Sequence, residues 1–173
     1  DYKTTTGHAA MWSSRLFGGM PSFLMGGYDF PKAVEYSPAP AFDLDEEFKV
    51  QALVADLIKQ QLINSAHDIS EGGLAVTLLE KGFNQNLGFD VNVATNGLRN
   101  DAFWFGEAQS RVVVTVSKTK IENLKTKIEA AGISFTELGT VTTGEIKVNR
   151  ESWGSIVDWK EKYDTAIEKL LNA

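Results

Sequence analysis

The order of its periodic segments predicts an α+β fold for this chain, a mixed sheet covered by helices rather than a doubly wound nucleotide fold. Three observations carry that expectation. Apolar residues recur at helical spacing in four stretches after Pro40, and strand-like runs fill the gaps between them. The resulting order is helix, helix, strand, strand, helix, strand, strand, helix, which sets strands side by side with no helix between them. At 173 residues, 43% hydrophobic and 23% charged, the chain is long enough for one domain with a real core and too short for two comfortable ones.

Each element follows from local chemistry. Asp43 and Glu46 have capping-box spacing in an acid-rich first turn, and Val50, Leu53, Val54, Leu57, Ile58 and Leu62 then predict a helix from Leu44 to Ile63. Asn64 to Ser70 reads as a loop. Gly72-Gly73 opens an apolar run through Leu74, Val76, Leu78 and Leu79, a helix ending near Gly82. Phe89, Val91 and Val93 alternate with Asp90 and Asn92, the pattern of a half-buried strand. The β-branched run Val112–Val116 predicts a central strand. Ser117, Thr119 and Glu122 start a helix whose face is Ile121, Leu124, Ile128 and Ala131, closed by Gly132. Two short strands, Ser134–Val141 and Glu145–Val148, are joined by a turn at Thr142-Thr143-Gly144. The tail from Ile156 to Leu171 is helical, with Ile156, Trp159, Tyr163, Ile167 and Leu170 on one side.

Residues 1–35 read as a leader or linker and 36–173 as the domain. The opening Asp1–Met11 carries no functional weight, and all four prolines lie at or before Pro40. The run Gly18–Gly27 (GGMPSFLMGG) is apolar but broken by Gly and Pro at both ends. The absence of a starting methionine sets the expectation of a piece of a longer protein.

Composition excludes several function classes. There is no cysteine, hence no disulfide scaffold, thiolate nucleophile or Cys-based zinc site. No stretch reaches the roughly 20 apolar residues that cross a bilayer, and no signal-peptide core is visible, so cytoplasm is the expected compartment. The net charge of −6 disfavours nonspecific nucleic-acid binding. Residues 41–110 hold eleven acids and four bases, whereas 111–149 hold six bases and four acids, an acidic helix surface beside a basic one. His8 and His67 are the two histidines, too few for a His-based zinc site, and no Walker A loop, Rossmann glycine fingerprint or GxSxG elbow occurs.

Two segments stand apart from packing. Ser65–Leu74 (SAHDISEGGL) sets a His, two carboxylates, two hydroxyls and a Gly pair in the loop that opens a helix. Glycines there let a ligand approach the backbone, and first-turn N–H groups suit phosphate; His67 and Asp68 also suit proton transfer or metal ligation. The same residues suit a purely structural role, with Ser70 or Asp68 capping the helix, His67 bonded to backbone and the glycines allowing close packing. Phe103–Arg111 (FWFGEAQSR) brings three aromatics, Glu107, Gln109, Ser110 and Arg111 to the start of the central strand, where ligands bind in many α/β proteins. The alternative is an Arg–Glu pair that fixes the strand entry while the aromatics fill the core.

These two segments, in this order, resemble the C-terminal domain of the aminoimidazole ribonucleotide (AIR) synthetase superfamily, and more narrowly the last domain of the phosphoribosylformylglycinamidine synthase family. The likeness also rests on Ser37-Pro-Ala-Pro40, Phe42-Asp43-Leu44-Asp45, Leu138-Gly139 and Trp159–Tyr163, and spans residues 36–171. It implies α/β/α layers with a mixed, partly ferredoxin-like sheet. It further implies a ligase that uses ATP and Mg²⁺ to activate the amide of formylglycinamide ribonucleotide for attack by ammonia drawn from glutamine. Its implied partners are the preceding domains of the same synthase and a glutaminase domain or subunit, with no nucleic acid and no membrane.

The resemblance places the family's catalytic His, metal carboxylates and most nucleotide contacts in domains this chain does not carry. The family's Glu-Ser-Gln motif is here Glu107-Ala108-Gln109, without the middle hydroxyl, and Glu71 stands where Asp is common. The expected site is therefore a phosphate or nucleotide site with no catalytic or metal residue: His67, Asp68, Ser70, Glu71, Gly72 and Gly73, with Glu107, Gln109 and Arg111 opposite. The alternative is a structural or pseudo-active-site module that docks on the other synthase domains. A kinase or selenophosphate-type relative within the superfamily is a further possibility, against which the Phe-Gly-Glu-x-Gln-Ser-Arg stretch argues.

Overall fold

Asp43 starts the first helix, its carboxylate accepting from the amides of Asp45 at 3.0 Å and Glu46 at 3.1 Å. The computed structural model describes residues 43–95 and 99–172, so the expected leader at 1–35 and the Ser37–Phe42 motif residues lie outside the described residues. Two compact units are present, one running to Thr77 and resuming over Thr95–Thr136, the other formed by Leu78–Ala94 and the chain from Glu137.

In the first unit, α1 (Leu44–Lys59), β1 (Ser65–Asp68), the start of α2 (Gly73–Phe83), α3 (Asn100–Phe105), β3 (Val112–Thr115), a short 3₁₀ turn (Lys118–Lys120) and α4 (Ile121–Ala130) follow in order. Strands β1 and β3 form a two-stranded antiparallel sheet, Ser65 opposite Thr115 and Asp68 opposite Val112. One core cluster gathers Leu57, Leu62, Leu124 and Ile128, flanked by Leu53, Ile63, Val114, Val116 and Ile133.

The second unit takes the rest of α2 and adds β2 (Gly88–Val91), β4 (Gly139–Thr142), β5 (Glu145–Val148), β6 (Glu151–Ser155) and α5 (Ile156–Leu171). Its four-stranded mixed sheet runs β4-β2-β5-β6, with β2 antiparallel to β4 and parallel to β5. Ile146 of β5 and Ile156 at the start of α5 are fully buried. Tyr163 ties α5 to the end of α2, packing on Phe83 at 5.3 Å between ring centroids and donating to Glu80 at 2.7 Å.

The expected α+β class with a mixed sheet is present, and several elements differ from expectation. Helix α1 ends at Lys59 rather than Ile63, because Gln61 turns left-handed at φ +53° while Gln61 N–H and Leu62 N–H return to Ile58 O and Leu57 O. Ser65–Asp68, read as loop, is a strand made by its pairing with β3 rather than by its own composition. For the same reason β3, expected to be central, has one partner strand, β1, among the described residues. Helix α3 and strand β6 were not foreseen. The strand expected over Ser134–Val141 is confined to Gly139–Thr142, and its turn closes no hairpin, since β4 and β5 lie on opposite sides of β2. The predicted apolar side of α5 enters the core only at its start, with Ile167 at 74% and Leu170 at 80% exposure.

Candidate functional site

The two candidate segments meet in the first unit, at the start of α2. Pairing of β1 with β3 carries Asp68 to Val112, and just beyond it the Ile69 amide donates to the Arg111 carbonyl at 2.9 Å. From there the chain turns through Gly72 (φ +78°) and Gly73 (φ +67°), consecutive left-handed positions that disfavour a side chain. Both glycines are also tightly confined. A Cβ on Gly73 would stand 2.6 Å from the Phe105 backbone carbon, and one on Gly72 would stand 2.4 Å from Val76 Cγ2. Gly73 thus lets the start of α2 press on the end of α3, while Gly72 leaves room for Val76 of α2 itself.

The Gly72 amide donates to Glu107 Oε1 at 2.9 Å, and the Gly73 amide to the Ser70 carbonyl at 3.0 Å. An anion therefore sits at the positive end of α2, and it belongs to the chain itself. Arg111 is 4% exposed and turns inward, its Nη1 donating to the Gly106 carbonyl at 3.0 Å. Burial pushes the guanidinium down to about 9, still charged at neutral pH.

The remaining expected site residues divide. His67 Nδ1 lies 2.7 Å from the carbonyl oxygen of its own neighbour Asp68 and 3.8 Å from that carboxylate. The same Asp68 carbonyl receives the hydroxyl of Thr77, buried at 1% exposure, at 3.4 Å. Ser70, Glu71 and Gln109 are exposed. The structure thus joins Gly72 to Glu107 directly and reaches Arg111 through its backbone, while His67 turns to backbone beside it.

Glu47 was not singled out from sequence, and its bond to Ser110, a residue of the FWFGEAQSR stretch, was not foreseen. Glu47, in the acidic first turn of α1, accepts from Ser110 Oγ at 2.6 Å and from Gln51 at 2.6 Å. Ser110 itself is left-handed at φ +61°. A non-glycine residue in that conformation leaves no compositional mark, so no signal in the sequence pointed to the pair.

Among the described residues no three His, Asp or Glu side chains group as metal ligands, and the two glycine amides suited to a phosphate already hold Glu107 and Ser70. Among the described residues no helix is long and apolar enough to cross a membrane.

Comparison with known proteins gives a consistent set of likenesses. The family described as AIR synthase related protein, C-terminal domain, matches residues 26–150. Phosphoribosylformylglycinamidine synthase subunit PurL of Thermus thermophilus is 35% identical over 139 residues, 80% of this chain and 18% of the relative. The subunit of the same name from Leuconostoc mesenteroides is 39% identical over 136 residues, 76% of this chain and 18% of the relative. The chain thus spans less than a fifth of the length of these curated relatives. Among solved structures, Thermotoga maritima PurL complexed with FGAR superposes with a TM-score of 0.59 at 15% identity, over 68% of this chain and 21% of that one. PurLQS from Thermotoga maritima gives 0.60 at 16% identity, over 66% and 21%. At such identities these structures speak for the fold.

Proposed function

Since the chain belongs to the family described as AIR synthase related protein, C-terminal domain, we propose that it serves as the C-terminal domain of phosphoribosylformylglycinamidine synthase. That enzyme is a carbon–nitrogen ligase of purine biosynthesis. It converts formylglycinamide ribonucleotide, ATP and glutamine-derived ammonia into formylglycinamidine ribonucleotide, ADP and phosphate. The observation that carries this reading is the likeness to PurL subunits at 35% and 39% identity across about four-fifths of the chain. The preceding domains of the same synthase and a glutaminase domain or subunit are its partners, and the cytoplasm its compartment. ATP and Mg²⁺ belong to the rest of the synthase.

Within that enzyme the domain acts as a pseudo-site module, and the Gly72–Glu107 bond favours this over a working nucleotide site. A helix start that already holds a carboxylate offers a phosphate little, because two anions would compete for one amide. The domain's contribution is then to complete the synthase's architecture.

Replacing the matching segment of Thermus thermophilus PurL by this chain tests the first reading. ATP- and ammonia-dependent formation of the amidine is expected, and a folded chimaera that forms none overturns it. Titrating the 173-residue chain with ADP and Mg²⁺ tests the second. No saturable heat is expected; saturable binding restores the nucleotide-site reading.

A further inference from the structure

The connection from α3 to β3, residues 106–111, is anchored from several sides. Arg111 Nη1 donates to the Gly106 carbonyl at 3.0 Å, and the Arg111 carbonyl accepts the Ile69 amide at 2.9 Å. Between these anchors Ser110 holds φ +61°, a conformation that non-glycine residues adopt where surroundings impose it. The side chain that meets Ser110 comes from α1. Glu47 Oε2 accepts the Ser110 hydroxyl at 2.6 Å across 63 positions of sequence, while its Oε1 takes Gln51 Nε2 at 2.6 Å, so both carboxylate oxygens are held.

We propose that Glu47 is a positioning residue for the start of α2: by fixing Ser110 it sets the 106–111 connection from which Glu107 reaches the Gly72 amide. The inference deepens the pseudo-site reading, naming what keeps the resident anion in place. Glu47 acts through Ser110 and Glu107, and positioning of this kind is felt at a distance because a small displacement of an acceptor breaks a hydrogen bond.

Amide hydrogen exchange by NMR on the 173-residue chain tests it, with Gly72 as reporter and Leu124 of α4 as a measure of stability in the same unit. Glu47→Ala and Ser110→Ala are each expected to speed Gly72 exchange about tenfold while Leu124 is unchanged. Glu47→Gln keeps an acceptor for Ser110 and is expected to restore the wild-type rate. The double variant should exchange no faster than either single one. An unchanged Gly72 rate in both alanine variants, a rise shared by Leu124, or no rescue by Glu47→Gln overturns the proposal. The readout is the amide itself, so it is independent of whether the chain serves a ligase.

Discussion

Glu107 Oε1 accepts the Gly72 amide at 2.9 Å, joining residues 35 positions apart. The bond seats a carboxylate at the amino end of α2, where the aligned peptide dipoles favour negative charge. The same juxtaposition explains why the glycine pair and the FGEAQSR stretch occur together: one supplies a backbone free of Cβ, and the other supplies the anion that meets it.

Replacing Glu107 tests the energetic side of that bond. Glu107→Ala removes a charged acceptor from a partly buried amide and is expected to cost about 1–2 kcal/mol. Glu107→Gln keeps an oxygen acceptor and loses the charge at the helix end, a smaller cost of about 0.3–1 kcal/mol. Urea unfolding should rank wild type above Gln above Ala. Equal stability for all three would mean that water replaces the carboxylate at no cost.

The confinement of Gly73 separates strain from packing when set against Gly132. Both have φ near +67°, but a Cβ on Gly132 meets nothing within 4 Å, whereas one on Gly73 meets the Phe105 backbone at 2.6 Å. Gly132→Ala therefore costs the conformational penalty alone, about 1–2 kcal/mol. Gly73→Ala adds an overlap that only backbone movement relieves, about 1–3 kcal/mol more. Thermal unfolding of the two variants checks the difference, and similar melting temperatures would show that α3 retreats freely.

That pair also shows what was legible in the sequence. Helix α4 closes on Gly132, a residue that signals its own left-handed conformation, and the sequence located that end. Helix α1 closes by the same bonding pattern on Gln61, which carries no such signal, and the expected helix ran four residues too far. β1 was hidden because SAHD has no strand pattern and owes its state to β3. The turn after β4 was legible as a turn, but which strands flank it is a matter of long-range pairing with β2. The site follows the same rule. Its glycines, Glu107 and Arg111 were visible as residue types, whereas the inward turn of Arg111 and the Glu47–Ser110 bond arise only from packing.

Helix α5 offers a contrast between two residues of one predicted apolar face. Ile156 is 0% exposed, and Leu170 is 80% exposed. Ile156→Ala is expected to destabilise the isolated chain by about 2–5 kcal/mol through an unfilled cavity. Leu170→Ala should lie within about 0.5 kcal/mol of wild type. Urea midpoints decide, and a large cost at Leu170 would mean that the end of α5 is covered in solution.

Arg111 makes stability depend on alkaline pH in a definite direction. Burial lowers its guanidinium from the usual arginine range to about 9 in the fold. Below about 9 folded and unfolded chains both carry the charge, and the full desolvation cost stands. Above about 9 the fold releases a proton that the unfolded chain still retains, so the unfolded state binds more protons and stability rises with pH. Other groups titrate in the same range, so the useful quantity is the difference between wild type and Arg111→Met, measured by urea unfolding at about pH 8 and pH 10.5. The difference should shift toward wild type at the higher pH. A flat difference would show that the guanidinium keeps its proton, its partners outweighing desolvation as they do for arginine in most settings.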